Sequence, residues 1–113
     1  MTDDEAWKVE VELWTGGMSH YRRHVDPHCL MAFPEPAGIM DFEAILKALD
    51  DLPRWSVKLG GERLERPAKD VLVLAYRVEG LRTGEPAYRA ICTSTYRHGE
   101  QGWRLVQHQQ TPV

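Results

Sequence analysis

The sequence predicts an α+β fold, and three observations carry that reading. Helical patterning is concentrated in the first half of the chain, long strand-like runs fill the second, and the two do not alternate. Such an order gives a sheet with its helices gathered on one side, whereas a parallel α/β fold interleaves the two. The third observation is Val71-Leu72-Val73-Leu74-Ala75-Tyr76, apolar on both faces where a strand with one wet face would alternate. Three short helices cover only one face of a four-stranded sheet. A second copy of the chain is therefore expected on the other, as a homodimer through the outer sheet face.

Each element has its own local signal. Thr2-Asp3-Asp4-Glu5 places a hydroxyl and carboxylates where a helix needs acceptors and negative charge. Trp7, Val11 and Trp14 form its apolar stripe, with Lys8, Glu10 and Glu12 mostly turned away, and Gly16-Gly17 ends it. Ser19 is expected to cap a short second helix that Asp26-Pro27 terminates. Cys29 to Phe33 reads as a strand, Pro34 to Gly38 as a turn, and Ile39-Met40 as a segment that pairs back. Asp41 caps a third helix from Phe42 to Leu49, with Ile45, Leu46 and Leu49 inward and Asp50-Asp51-Leu52-Pro53 as its stop.

From Trp55 onward the chain is β. Strands are predicted from Trp55 to Leu59, continuing from Arg63 to Glu65 past a bulge or bend at Gly60-Gly61, then from Asp70 to Leu81, Tyr88 to Arg97 and Trp103 to Gln110. Strict alternation along the last strand puts Trp103, Leu105, Gln107 and Gln109 on one face. Arg104, Val106, His108 and Gln110 take the other.

At 113 residues the chain has room for one core, so residues 1–113 are expected to form a single domain. A net charge of −3 with scattered arginines argues against nucleic acid and anionic membranes. No apolar run approaches a membrane span, and the start lacks a secretory signal. Cys29 and Cys92 suit free thiols, and a cytoplasmic location is expected.

No complete catalytic motif is spelled, and no metal or cofactor is expected. His20 and His24 stand one helical turn apart, but Pro27 precedes His28 and no His-Glu-x-x-His motif accompanies them. His108 is the stronger candidate, because a paired hairpin brings Cys92 and Ser94 to its face beside Gln110. An imidazole in a semi-apolar cavity can act as general base or acid, and equally it can simply bond to its neighbours. Asp26 or Asp41 offers a carboxylate partner, although each also fits a turn or cap role. Trp14, Phe33, Trp55, Tyr76 and Tyr88 supply aromatic surface, and Met18, Met31 and Met40 an adaptable wall.

The end of the chain carries a family resemblance. Cys92-Thr93-Ser94-Thr95-Tyr96, the turn from Arg97 to Gly102, and Trp103-Arg104-Leu105-Val106-Gln107-His108-Gln109-Gln110-Thr111-Pro112 resemble the C-terminal hairpin of the nuclear-transport-factor-2-like superfamily. Glu12-Leu13-Trp14 at the end of the first helix is similar as well. The resemblance implies a cone of curved antiparallel sheet closed by N-terminal helices, usually dimeric. That superfamily includes ketosteroid isomerase, scytalone dehydratase, SnoaL-like cyclases and the calmodulin-dependent kinase association domain. In the last of these an arginine that binds acidic ligands stands where this chain has Gln110.

Three readings are open. In the first, the domain binds a small, mostly apolar organic molecule as a homodimer, in a pocket of Trp14, Met31, Phe33, Trp55, Tyr76, Cys92, Ser94, His108 and Gln110. In the second it is a cofactor-free isomerase, dehydratase or cyclase using His108 with an aspartate, Asp26 foremost, in proton transfer. In the third it is a dimerisation module with a vestigial cavity. One fold hosts many functions, so fold alone does not choose.

Overall fold

A computed structural model describes residues 1–49 and 53–113. The expected stop of the third helix falls mainly on residues 50–52, outside the described residues. The elements run α1 (Asp3–Thr15), α2 (Met18–His24), β1 (Val25–Ala32), β2 (Ile39–Asp41), α3 (Phe42–Leu49), β3 (Ser56–Ala68), β4 (Val71–Leu81), β5 (Tyr88–Gly99) and β6 (Gly102–Pro112).

Local chemistry accounts for most of these boundaries. The Thr2 hydroxyl accepts from the Glu5 amide at 3.1 Å, which caps α1, and Asp41 Oδ1 accepts from Ala44 N at 2.9 Å, which caps α3. α2 departs from expectation, since it opens on Gly17 with no side-chain cap and Ser19 lies inside it. β1 starts at Val25, earlier than expected, and runs through Asp26-Pro27. Proline is tolerated there because the pairing of β1 is irregular between Val25 and Leu30, where no regular ladder bond is lost.

The sheet corrects the expected cone. Among the described residues six strands lie in the order β2-β1-β6-β5-β4-β3, so β2 and β3 are open edges that do not meet. The sheet is neither closed nor strongly curled, and it is mixed, because β1 pairs parallel to β6. A strand that reaches the sheet only after two helices arrives from outside the hairpin succession and joins the free edge of β6. The meander from β3 to β6 is antiparallel throughout.

The helices cover one face, with α1 against β3 and α3 against β1 and β2. Leu72, Leu74, Tyr96, Leu105, Val25 and Met31 meet Ala6, Leu13, Ile45 and Leu46 in the main core. Removing each fully buried large side chain from water is worth roughly 1.5–3 kcal/mol. A second cluster joins Trp14 to Tyr76, Val78, Ala90 and Cys92. No helix among the described residues is long and apolar enough to cross a membrane.

Strict alternation fails along β6. Its pairing with β5 shifts between Thr95 and Tyr96, so that Tyr96 faces Leu105 while Thr95 faces Gln107. Val106 is the extra residue, and a bulge of this kind reverses the parity of every residue beyond it. Leu105 and His108 are therefore both buried on the inner face, where alternation had put them on opposite faces.

Candidate functional site

A cavity of about 540 Å³ lies between α1, α3 and the inner sheet face. Its wall is mostly apolar, with Leu13 and Trp14 from α1, Phe33 and Met40 around β1 and β2, and Ile45 and Leu49 from α3. His108 and Gln110 of β6 and Tyr88 of β5 add polar groups, and Arg54, Trp55 and Arg82 also line the space.

Trp55 takes its position from the absence of a side chain. A Cβ at Gly80 would lie 3.0 Å from the indole, so glycine lets the ring settle against β4. From there it meets Trp14 edge-on at 6.1 Å and Tyr88 at 5.7 Å between ring centroids. Trp14 in turn stands edge-on to the His108 ring at 6.2 Å. One wall of the cavity is thus an aromatic succession ending at the imidazole.

Behind that imidazole lies a buried polar network centred on Glu10, whose side chain is fully enclosed. Tyr76 donates to Oε2 at 2.5 Å, Ser94 to the same oxygen at 2.6 Å, and Tyr96 to Oε1 at 2.7 Å. Trp14 Nε1–H reaches the Tyr76 hydroxyl at 3.0 Å. Three donors thus converge on one carboxyl group, which accepts from all of them. Burial first, and then the Glu10 charge, raise both Tyr76 and Tyr96, which remain neutral donors.

The network fixes the His108 tautomer. Tyr88 donates to Gln110 Oε1 at 3.1 Å, which turns the amide nitrogen of Gln110 toward His108 Nε2, also at 3.1 Å. Nε2 therefore accepts and Nδ1 carries the proton. Nδ1 lies 2.7 Å from Ser94 Oγ, to which it donates, and Ser94 passes its own hydrogen to Glu10. Burial lowers the His108 pKa, against the opposing pull of Glu10, so the ring is neutral with its basic lone pair on Nε2. A ligand that displaces the Gln110 amide meets that lone pair.

The expected pocket residues divide into two groups. Trp14, Phe33, Trp55, His108 and Gln110 line the cavity, whereas Met31, Tyr76, Cys92 and Ser94 do not. Met31 is core, Tyr76 and Ser94 stand behind the wall holding Glu10, and burial pushes the Cys92 thiol up to about 12, leaving it a neutral packing group. Asp26 lies elsewhere, accepting from His28 N at 2.8 Å and facing Arg97 at 3.7 Å. Asp41 serves as the cap of α3. His20 and His24 stack at 4.4 Å, with His20 Nδ1 3.1 Å from Glu12, and no metal-ligating cluster of three or more forms among the described residues.

Sequence reasoning missed Glu10, which had been turned outward with the charged side of α1. The spacing did hold a signal, since Ala6, Glu10, Leu13 and Trp14 share one helical face and all four are buried. Arg54 and Arg82 gave none, because each sits beside a turn where arginine is ordinary.

No protein-family model matches the sequence. No curated protein matches it either. Solved structures do match in fold. An NTF2-like protein from Cytophaga hutchinsonii superposes with a TM-score of 0.82 at 14% identity, covering 100% of both chains. The hexachlorocyclohexane dehydrochlorinase LinA-type3 from Novosphingobium barchaimii gives 0.74 at 13% identity, over 97% of this chain and 86% of that one. The association domain of CaMKII from C. elegans gives 0.75 at 14% identity, over 96% and 90%. At such identities the likeness establishes a shared NTF2-like, cystatin-like fold and nothing finer.

Proposed function

We propose that this chain is a single-domain, cytoplasmic, SnoaL-like member of the NTF2-like superfamily that binds a small, mostly apolar organic molecule as a homodimer. One observation carries the reading: an aromatic-walled cavity of about 540 Å³ ends on a neutral imidazole whose Nε2 lone pair is held by the amide of Gln110, another residue of the cavity wall. That size and that ratio of apolar wall to convergent polar groups suit a ligand of drug-like dimensions. The ligand supplies a hydrogen-bond donor to His108 Nε2 in place of the Gln110 amide.

The test uses 2-naphthol and its methyl ether, which differ in one donor. In titrations followed by the indole N–H resonances, 2-naphthol is expected to perturb Trp14 and Trp55. His108→Ala should weaken 2-naphthol binding about tenfold and leave the ether unchanged, as for loss of one hydrogen bond to a buried group. Equal binding of the two compounds by the unaltered protein would remove His108 from the recognition.

A second reading, cofactor-free proton transfer, is favoured by the chain Glu10–Ser94–His108. A base backed by a buried carboxylate through one hydroxyl can take a proton at Nε2 while the positive charge it gains is stabilised from behind. Glu10 thus takes the part expected of Asp26. Accelerated deuterium exchange at the acidic carbon of 2-tetralone, lost in His108→Ala, would establish it.

A further inference from the structure

We infer that the ligand carries an anionic group, a carboxylate or similar, which seats at the cavity mouth on Arg82 and Arg54; this rests on the binding reading above and adds the chemical class of its ligand. The whole chain carries a net charge of −3, which would repel an anion at long range. The charge on the cavity wall, among the described residues, has the opposite sign. Among the described residues its charged members are Arg54 and Arg82, and no carboxylate lines it.

Arg82 is held ready for a planar partner. Its guanidinium carbon sits 3.8 Å above the Trp55 ring, the stacked arrangement that fixes the plane of the fork. The side chain is only 12% exposed, yet Nε is fully buried with no hydrogen-bond partner among the described residues. A buried donor without an acceptor is costly, and the guanidinium gains from an anionic oxygen at the terminal nitrogens that share its charge. The existing neighbour, Glu85, is half out in solvent and 3.6 Å away, too far for a good hydrogen bond.

Arg54 lines the same space. Its guanidinium lies so close to Gly17 that a Cβ there would stand 2.6 Å from a terminal nitrogen. A shallower hollow of about 370 Å³ outside the mouth is bounded by Arg54, Trp55 and Arg82 together with Ser56 and Thr83. The two hollows share Arg54, Trp55 and Arg82. An anion there would leave the apolar body of the same molecule to run inward along Trp55 and Trp14 toward His108.

The test is calorimetric titration of the full chain with 1-naphthaleneacetate and with the uncharged 1-naphthaleneacetamide. The acid is expected to bind about tenfold more tightly than the amide, as a charge-assisted contact would give. Arg82→Gln should bring the acid down to the affinity of the amide and leave the amide unaffected. Arg54→Gln, at a residue with no stacking contact to the indole among the described ones, should lower the acid by a smaller factor and guards against misfolding of the first variant. Equal affinities for acid and amide, or equal losses for both in Arg82→Gln, would overturn the anionic class while leaving the cavity reading intact. Absence of binding by both compounds would overturn the two together.

Discussion

At the scale of single residues, Glu10 decides more than any other. A carboxyl group with no exposure is stable only when its oxygens are met, and here Tyr76, Ser94 and Tyr96 meet them. Glu10→Ala would leave three buried hydroxyls without their acceptor and open a void. The expected loss is about 3–5 kcal/mol, as for breaking a buried charged network. Glu10→Gln keeps the shape but points amide hydrogens at hydroxyl donors, for an expected loss of about 1–3 kcal/mol. Denaturant unfolding checks both, and an Ala variant no less stable than the Gln variant would show that the hydroxyls find other partners. His108 makes a separate prediction. Its pKa in the folded chain is lowered by burial, so on acidification the unfolded chain takes up a proton before the folded chain does. Its contribution to stability is present above about pH 6.5, the unfolded value, and is lost as the pH falls below it. Burial lowers His20 and His24 as well, and they add to the same acid limb. Unfolding free energies measured from about pH 7 to about pH 5 should fall, with a shallower slope in His108→Gln. An unchanged slope would mean that His108 is not held neutral.

At the scale of elements, what was legible depended on whether the deciding interaction was local. The caps of α1 and α3 are contacts between residues three apart, and their pattern of Thr2 with Glu5 and Asp41 with Ala44 is readable from the chain alone. The strands from Val71 to Leu81 and from Tyr88 onward declare themselves by length and composition. The parallel seat of β1 beside β6 does not, because Val25 and Leu105 are joined by nothing local. The bulge at Val106 is hidden for a related reason. Its cause lies in how β6 must bend to pair with β5 on one side and β1 on the other, and no glycine marks the place. That one residue nevertheless brings Leu105 into the core beneath His108, so half the strand was assigned to the wrong face. The Glu10 network combined both difficulties: helical spacing announced the buried face, while its partners on β4 and β5 lie 66 to 86 positions away.

At the scale of the whole molecule, the question is what covers the sheet face opposite the helices. Register places Leu30, Gln107, Thr95 and Val73 side by side across β1, β6, β5 and β4, with Ala32, Gln109, Thr93 and Ala75 in the next row. The two rows carry no charge, and Leu30 is 56% exposed. Charged residues return at the borders, as Glu65 and Arg63 on β3 beside Val73 and Ala75, and as Arg77 and Arg97 along β4 and β5. Depletion of charge at the centre with a polar rim is what the proposed homodimer requires of this face, and the matching rows would suit a twofold-related copy. Thr93 lies in the middle of this band, paired with Ala75 on one side and Gln109 on the other. Thr93→Arg would place a guanidinium against its own symmetry mate, where desolvation and like-charge repulsion both oppose association. Sedimentation equilibrium should find a dimer for the unaltered chain at micromolar concentration and a monomer for the variant, with the cavity's affinity for 2-naphthol retained. A monomeric unaltered chain would instead mean that these rows face water, and that the apolar run in β4 serves only the cross-strand contacts of Val73 with Thr95 and Ala75 with Thr93.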